Sequence, residues 1–427
     1  MPHRRASGAL LAALLLAACG GRDVAVRVPA GEPAAAPRRG MWVLCEGSQR
    51  VLEHPERLSL LIEDARALGV TDLFVQVYRG GRAWFPSRLA DDAPYQRVWR
   101  TASGDALQVL IARAHDAGLR VHAWVNALSL ASNRDAPLLS LLGPEAAAVD
   151  QHGRSVLDYP ELDVPPPHAG FYRMGTPAVW IDPAAPGVAE HLAETFAELV
   201  TLYPELDGLH LDYIRYPDVL PFTPGIRFGV GLSFGHGEAT RERFRRETGL
   251  RAPFGDSLVN ANRFDDWRRE KLTELVALVA ARGRDARPGL AISAAVWAWP
   301  NRAYLSIFQD WRGWLRGGHL DFAVPMLYTR DDLLLDYGAE DFAGLDAAER
   351  IWVGLGVWLF REEPERATAQ LERVTRRGRL GVALFSWDSL RDAPELRDAL
   401  TRTGTAAEPG SADTVPVPAA PAPEAAP

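Results

Sequence analysis

The fold is decided by one repeated pattern, and Asp105–Ala127, DALQVLIARAHDAGLRVHAWVNA, carries it most clearly. The first half has apolar residues at spacings of three and four, which is typical of one face of a helix, and it stops at Gly118. From Arg120 onward the chain is a short apolar run with the length of a buried strand. The stretch therefore predicts a helix that ends in glycine and leads into a buried strand.

The same pattern extends along most of the chain. Eight strand-like runs occur, at Gly40–Glu46, Asp72–Tyr78, Arg120–Ala127, Gly208–Ile214, Leu290–Trp297, Asp321–Tyr328, Ile351–Trp358 and Gly381–Trp387. Helical patterns lie between them, at Glu56–Leu68, Asp105–Ala117, Gly187–Leu202, Phe264–Arg282, Ala303–Leu315, Pro364–Arg376 and Ala393–Leu400. Eight alternations of strand and helix predict an α/β fold, a (β/α)8 TIM barrel in a single domain. A doubly wound open sheet is the alternative.

Two connections are too long to be simple loops. Residues 129–185 follow the third strand, and residues 215–260 follow the fourth. Long loops at the carboxyl ends of barrel strands usually build the binding face. We therefore expect the two segments to shape the rim of a binding site.

The two ends of the chain differ from the middle. Arg4 and Arg5 precede an apolar run that ends in Leu16-Ala17-Ala18-Cys19, which resembles a bacterial lipobox. We predict a signal peptide over 1–18, lipid on Cys19, a flexible tether over 19–39, a barrel domain over 40–403 and a disordered Pro/Ala-rich tail over 404–427. This organisation predicts an exported protein, lipid-anchored in the cell envelope on its periplasmic or outer surface. An ordinary secretory signal with an incidental Cys19 is the alternative.

Composition excludes several classes of protein. The chain has 427 residues, 47 Lys and Arg against 55 Asp and Glu, and a formal net charge of −8. Nucleic acid is not an expected partner, because such proteins carry a basic surface. Cys19 and Cys45 are the only two cysteines, so no disulfide framework is possible if Cys19 is lipidated. The sequence has no phosphate-binding loop, nucleophile elbow or HExxH motif, so we expect no cofactor. We also expect the protein to be a monomer.

Residues of a barrel strand point alternately inward and outward, so the predicted strands indicate which side chains converge. Polar and aromatic residues fall on the predicted inner face near the carboxyl ends, where active sites of this fold lie. They are Trp42, Leu44, Glu46, Gln76, Tyr78, His122, Trp124, Asn126, His210, Asp212, Trp297, Trp299, Met326, Tyr328, Trp358 and Trp387. A metal site made of His122, His210 and Asp212 is a weaker alternative, and we predict none.

Two carboxylates in this set suggest glycoside cleavage. That reaction needs one protonated carboxyl group as acid and a second group as nucleophile or base. Asp212 among aromatic rings suits the acid, because burial favours the neutral form. Glu46 is the candidate for the second group, although it could instead pair with an arginine at the rim. Trp and Tyr faces stack on sugar rings, and four Trp at one end of consecutive strands predict sugar subsites.

Several motifs resemble one known family. Asp207–Pro217, DGLHLDYIRYP, resembles the DGIHxDDYxYP signature of the bacterial glycosyl-hydrolase-like family ten. Arg39–Trp42 resembles its opening RGxW, Ala114–Asn126 its AHxxGLxVHAWxN, and Trp180–Pro183 its LNP segment. The resemblance implies a TIM-barrel glycosidase, often a lipoprotein, and some members act on peptidoglycan glycan strands.

The chain departs from the family pattern at three places. Tyr213 stands where the second Asp is usual, Asp182 replaces an Asn, and the segment after Asn126 lacks Pro-Tyr-Arg. A distant likeness to chitinase-type barrels covers Met326-Leu327-Tyr328, but Ile214 occupies the position of their catalytic Glu.

Taken together, these patterns predict a hydrolase of an envelope or extracellular polysaccharide, either peptidoglycan glycan strands or an amino-sugar exopolysaccharide. We expect Asp212 as acid and base, with either Glu46 or the substrate's acetamido group as the second group. Substrate contacts are predicted at His122, Trp124, Asn126, His210, Arg215, Gln76, Tyr78, Trp297, Trp299, Tyr328, Trp358 and Trp387. The missing second Asp keeps open a glycan-binding barrel without catalysis, and a structural envelope scaffold is a third hypothesis.

Overall fold

A computed structural model describes residues 38–102, 104–159, 173–220, 232–251 and 257–404. The predicted signal peptide, Cys19 and nearly all of the predicted tether and tail lie outside these ranges.

Eight parallel strands close into a barrel. They are β1 (Arg39–Val43), β2 (Asp72–Arg79), β3 (Arg120–Asn126), β4 (Gly208–Asp212), β5 (Ala291–Trp297), β6 (Phe322–Met326), β7 (Trp352–Gly356) and β8 (Gly381–Phe385). Each strand pairs with the next in parallel, and β8 pairs with β1 through Met41 and Leu384. The predicted (β/α)8 barrel is confirmed, and the open-sheet alternative is wrong because β1 bonds to both β2 and β8.

Helices connect the strands on the outside. They are α1 (Arg57–Ala67), α2 (Ala93–Ala102), α3 (Ala106–Asp116), α4 (Pro137–Leu142), α5 (Val188–Leu202), α6 (Glu238–Thr248), α7 (Leu258–Ala286), α8 (Pro300–Ser306), α9 (Trp311–Arg316), α10 (Asp332–Ala343), α11 (Pro364–Thr375), α12 (Trp387–Arg391) and α13 (Pro394–Gly404). None of the helices in the described ranges is long and apolar enough to cross a bilayer.

The predicted helices are present, with two kinds of difference. The pattern over 303–315 is two helices, because Asp310 accepts a hydrogen bond from the Gly313 N–H and starts α9. Helices α2, α4, α6, α10 and α12 were not predicted. In α10 the apolar Leu333, Leu334 and Tyr337 are exposed beside a buried face that includes Leu335 and Phe342, so apolar residues alone do not mark that face in the sequence.

Aromatic rings fill the lower part of the barrel interior. The Phe322 and Trp352 rings stack at 4.0 Å, and Phe74 stacks on His210 at 4.2 Å. Glycine makes room for them: a Cβ at Gly381 would lie 2.5 Å from the Trp352 ring. This part of the interior is therefore a packed core.

The two long connections are joined to each other at the rim. A two-residue strand at Arg173–Met174 pairs antiparallel with another at Val219–Leu220. Asp182, in the first connection, accepts hydrogen bonds from the Tyr216 and Thr240 hydroxyls in the second. The described parts of the two segments are thus held to each other beside the mouth of the barrel.

Candidate active site

A cavity of about 460 Å³ opens at the carboxyl ends of the strands. Its wall consists of side chains from the strand ends and from both long connections, namely Leu44, Gln76, Arg79, Trp124, Asn126, Ser129, Ala131, Thr176, Pro177, Ala178, Asp212, Tyr213, Arg215, Met326, Tyr328, Trp358 and Phe385. The structure thus brings together seven of the predicted site residues, Gln76, Trp124, Asn126, Asp212, Arg215, Tyr328 and Trp358.

Asp212 is the last residue of β4, and its carboxyl group faces this cavity. The Trp124 indole N–H donates to Oδ2 at 3.1 Å, and the Tyr213 N–H donates to Oδ1 at 2.6 Å. Burial raises the pKa of Asp212 to about 6, although these two hydrogen bonds and the nearby Arg215 act in the opposite direction. Asp212 therefore holds a proton in mildly acidic solution and can donate it to a bound molecule.

Tyr213 turns the chain directly after this acid. Its φ is +50°, a left-handed conformation that is rare for a bulky residue. The turn directs the Tyr213 N–H at the Asp212 carboxyl, and the ring forms part of the cavity wall. The tyrosine that replaces the usual second Asp is thus a wall residue of the site.

Tyr328 and Trp358 form another part of the wall. Their rings meet edge to face at 4.8 Å, and both pack against Phe385. The Tyr328 hydroxyl is buried and has no hydrogen-bond partner within the described ranges. Burial, and then the negative charge of Asp212, raises the pKa of Tyr328 well above its usual value, so the group remains a neutral donor. A buried O–H without an acceptor is rare in proteins, and here it lies beside the candidate acid.

A chain of three side chains sets the direction in which Asn126 points its amide. The Cys45 N–H and Sγ–H both donate to Gln76 Oε1, at 3.4 and 3.2 Å. Gln76 Nε2 in turn donates to Asn126 Oδ1 at 3.2 Å. Since a backbone N–H can only donate, the orientation of both amides follows, and Asn126 keeps Nδ2 as a donor at the cavity wall.

Arginines, not a second acid, accompany Asp212. Arg79 and Arg215 are both wall residues. Asp212 is the sole carboxylic acid among the wall residues that the structure describes. Glu46 lies past the end of β1 and pairs with Arg79 at 3.2 Å and Arg82 at 3.7 Å. The expectation that Glu46 faces the site is not met. The strand β1 ends at Val43, Leu44 is the last residue of this stretch in the cavity wall, and Glu46 pairs with the two arginines instead.

Tyr78 departs from its predicted position because of an irregularity in β2. The register against β3 shifts between Gln76 and Tyr78, so that Tyr78 pairs with Val125. An extra residue in one strand reverses the side to which later side chains point. Tyr78 therefore packs outward on Phe196 of α5, and the prediction that it shares a face with Gln76 is wrong.

His122 and His210 point inward but lie below the cavity. His122 Nε2 bonds to Asp72 at 2.8 Å, and His210 accepts from the Trp42 indole N–H at 3.1 Å while its Nδ1 bonds to Ser293. Both are fully buried among aromatic rings, so neither can contact a molecule in the cavity. No cluster of three or more His, Cys, Asp or Glu suited to a metal ion occurs in the described ranges.

Three of the predicted tryptophans lie outside the cavity wall. Trp387 begins α12 and is fully buried with its indole N–H on Asp64 of α1, because β8 ends two residues earlier. Trp299 is the N-terminal cap residue of α8. Trp297 lies behind Arg215, whose guanidinium is 5.4 Å from the Trp297 ring.

Ten wall residues are not among the substrate contacts that the sequence predicts. They are Leu44, Arg79, Ser129, Ala131, Thr176, Pro177, Ala178, Tyr213, Met326 and Phe385. Leu44 and Met326 were placed on the inner face but given no role. Strand alternation could have indicated Phe385, whereas Arg79 and Tyr213 depend on the β2 irregularity and on a left-handed turn. No local sequence signal marks residues 176–178 as wall residues.

The fold and the cavity define a TIM-barrel protein with its site where active sites of this fold lie. Solved structures agree on the fold. The beta-galactosidase Gan42B from G. stearothermophilus matches with a TM-score of 0.53 at 12% identity, over 87% of this chain and 57% of that one. The beta-galactosidase of Marinomonas ef1 matches with a TM-score of 0.51 at 13% identity, over 86% and 59%.

The sequence comparisons then identify the family. The profile described as glycosyl hydrolase-like 10 matches residues 37–336, and the chain belongs to this family. It is 24% identical to glycosyl hydrolase DigH of Escherichia coli K12 over 365 residues, which cover 76% of this chain and 75% of DigH. It is 22% identical to glycosyl hydrolase YngK of Bacillus subtilis over 298 residues, 65% of this chain and 50% of YngK. The family resemblance inferred from the motifs is confirmed.

Proposed function

We propose that this protein is a glycoside hydrolase that cleaves an amino-sugar polysaccharide of the cell envelope, either a peptidoglycan glycan strand or a related exopolysaccharide. The observation that carries the proposal is Asp212, a buried carboxyl group with a pKa near 6 in an aromatic-walled cavity. Family membership and the names of its relatives support the class of reaction. In this proposal Tyr213 and Trp358, which are partly exposed, supply faces on which sugar rings stack.

The bond-breaking step needs a proton on the leaving oxygen. Asp212 donates it in the first step and becomes a carboxylate. In the second step the carboxylate takes a proton from the attacking water and returns to its starting state. A pKa near 6 suits both roles, because either form is accessible at mildly acidic pH.

The attacking group in the first step is, in our proposal, the substrate's own acetamido oxygen. It bonds to C1 while the bond from C1 to the leaving oxygen breaks, and water then opens the cyclic oxazolinium ion at C1 with net retention. Two observations favour this route: the described wall holds one carboxylic acid, and Glu46 is paired with two arginines. Asn126 Nδ2 and the Tyr328 hydroxyl are donors that can orient the acetamido group.

Location at the envelope is part of the same proposal. Lipid on Cys19 would hold the barrel at a membrane surface through the tether, close to an envelope polysaccharide. The proposed location is supported by the lipobox-like stretch that ends at Cys19.

The test is release of reducing ends by the purified protein from three polymers: intact peptidoglycan, stem-peptide-free glycan strands and poly-N-acetylglucosamine. Wild type should release product from at least one polymer and Asp212→Asn from none, while Asp331→Asn, which keeps a capping side chain at the start of α10, should match wild type. De-N-acetylation of the cleaved polymer should abolish cleavage. Continued cleavage of it, together with loss of activity in Glu46→Gln, would restore the two-carboxylate mechanism.

A glycan-binding barrel without catalysis is the second candidate. The single acid among the described wall residues favours it. It predicts unchanged affinity in Asp212→Asn and no reducing ends from any polymer.

A further inference from the structure

While Asp212 is protonated, the charged side chains at the cavity carry a net positive charge, although the chain as a whole is acidic. Arg79 and Arg215 are wall residues, and Asp212 is the one acid beside them in the described wall. Around the mouth, three guanidinium groups, those of Arg79, Arg82 and Arg215, are balanced by two carboxylates, those of Glu46 and Asp218. When Asp212 carries its proton, one positive charge remains, in a chain of formal net charge −8.

Arg215 is held rigidly with one side of its guanidinium uncommitted. Its charge centre lies 4.7 Å from the Trp180 ring and 5.4 Å from the Tyr213 ring, and the side chain is 8% exposed. Nη1 donates to Asp218 at 2.8 Å and to the Tyr216 carbonyl at 3.3 Å. Nε and Nη2 make no hydrogen bond to the described residues. A desolvated guanidinium is suited to a planar acceptor with two oxygens.

Arg79 offers a second uncommitted group in the same cavity wall. Its Nε binds Glu46 at 3.2 Å, and Glu46 is shared with Arg82. The terminal nitrogens of Arg79 make no hydrogen bond within the described part of the chain. Arg79 and Arg215 both lie close enough to lower the pKa of Tyr213, which burial raises first. The two cations therefore act on the same part of the cavity.

We propose that Arg79 and Arg215 form an anion subsite that selects a sugar carrying a carboxylate next to the bond that is cleaved. The carboxylate could be that of a lactyl ether or of a uronic acid, since both present the same two oxygens. This inference rests on the proposed function and narrows its substrate class to acidic glycans. The Tyr213 ring, which lies in the same cavity wall as both arginines, supplies the stacking face for that sugar.

The subsite also acts on the acid. Arg215 lowers the pKa of Asp212, so a bound carboxylate that neutralises Arg215 removes part of this effect. The alkaline limb of kcat, which reports the complex, should then lie at higher pH than that of kcat/KM, which reports the free enzyme. With a neutral substrate, the alkaline limbs of kcat and of kcat/KM should lie at the same pH.

Binding is measured by calorimetry in the Asp212→Asn background, so that the result does not depend on turnover. The ligands are a stem-peptide-free glycan oligomer with free lactyl carboxylates, the same oligomer with those carboxylates amidated, a uronate-containing oligomer, and neutral chito-oligosaccharide. Adding Arg79→Gln should weaken binding of the preferred acidic ligand about tenfold to a hundredfold and leave neutral binding unchanged. Adding Arg82→Gln is the matched control, because Arg82 pairs with Glu46 but is not a wall residue, and it should change affinity less than threefold.

Each outcome decides the proposal. Tighter binding of one or both acidic ligands that Arg79→Gln and Arg215→Gln abolish supports the subsite and identifies the source of the carboxylate. Equal affinity for free and amidated oligomers overturns it, and so does an unchanged affinity in Arg79→Gln. Cleavage of neutral oligomers as fast as acidic ones overturns the subsite but leaves the glycosidase proposal standing, whereas binding of no saccharide overturns both.

Discussion

Asp212 keeps its proton to unusually high pH because the barrel removes water from around it. A rise in pKa from 3.8 to about 6 corresponds to about 3 kcal/mol against the charged form, at about 1.4 kcal/mol per unit. Hydrogen bonds from Trp124 and Tyr213 recover part of the cost of burying the charge. The fold thus gives up some stability at neutral pH to hold an acid that can act.

The pH dependence of activity should report this residue. Because the protonated form is the one that starts the reaction, kcat/KM should fall as pH rises through about 6. The measurement is kcat/KM on the cleaved glycan between pH 4 and 8. A profile that is flat between pH 5 and 8 would remove Asp212 from the role of acid.

Two buried tyrosine hydroxyls allow a matched comparison. The Tyr328 hydroxyl has no partner in the described ranges, whereas the Tyr216 hydroxyl donates to Asp182 at 3.1 Å. Tyr328→Phe should therefore leave the melting temperature within about 2 °C and lower kcat about tenfold to a hundredfold. Tyr216→Phe should lower the free energy of unfolding by about 1 kcal/mol and leave kcat unchanged. Equal effects of the two variants on kcat would show that Tyr328 has no special part in the reaction.

At the scale of elements, strand alternation explains most of the inner face and fails where a strand is irregular or ends. Asn126 and Asp212 stand side by side because β3 and β4 pair in register there. The inward position predicted for Tyr78 is wrong because β2 contains an extra residue before it. The inward position predicted for Trp387 is wrong because β8 ends at Phe385. Inward and outward alternation is a property of regular strand backbone. Predictions based on it therefore hold only for residues within the regularly hydrogen-bonded part of a strand.

The inward positions of β1, β4 and β5 form a buried polar layer with its own pH signature. The Trp42 indole donates to His210 Nε2, so His210 Nδ1 carries the ring proton and donates to Ser293. Burial lowers the pKa of His210 well below 6.5, so the folded protein keeps it neutral while the unfolded chain takes up a proton. Stability contributed by the neutral ring is present above about pH 6.5 and is lost as pH falls.

Replacing His210 should flatten this dependence. In His210→Gln the fall in unfolding free energy between about pH 6.5 and 5 should be smaller than in wild type by up to about 1.4 kcal/mol per pH unit. Urea unfolding at a series of pH values measures it. His319→Gln, at a turn outside the barrel interior, serves as the control and should keep the wild-type slope. An unchanged slope in His210→Gln would mean that this histidine is protonated in the folded protein.

At the scale of the whole molecule, the wall of the site depends on how the two long connections are fixed to the barrel. Asp182 is fully buried and accepts from Tyr216, Thr240 and the Ala184 N–H, which belong to different stretches of the chain. Burial raises its pKa despite these bonds. The carboxyl group therefore joins the segments that carry the cavity wall residues 176–178, 213 and 215.

Two substitutions at Asp182 should separate the hydrogen bonds from the charge. Asp182→Ala leaves three buried groups without an acceptor and should cost about 2–4 kcal/mol in urea unfolding at neutral pH. Asp182→Asn keeps an accepting oxygen, removes the buried charge and restores the residue usual in the family, so it should cost less than about 1 kcal/mol. A loss in Asp182→Asn as large as in Asp182→Ala would mean that the charge itself holds the two connections.

The sequence by itself determined the barrel, its eight strands and the position of Asp212 at the end of the fourth. These features follow from local patterns, since a helical period that ends in glycine and a short apolar run are legible within about twenty residues. The family motifs and the role expected of Asp212 were equally visible, because they lie on single segments of chain.

Only the tertiary structure decided which side chains share the cavity. It placed His122 and His210 too deep and paired Glu46 with Arg79 and Arg82. It also brought Arg79 and Arg215, from different segments, into one cavity wall. Depth in a barrel depends on the tilt and register of neighbouring strands, and the balance of charge depends on which loops meet at the rim. Neither quantity is encoded in any one segment, so the cationic character of the site emerged only when eight strands and two long connections were brought together.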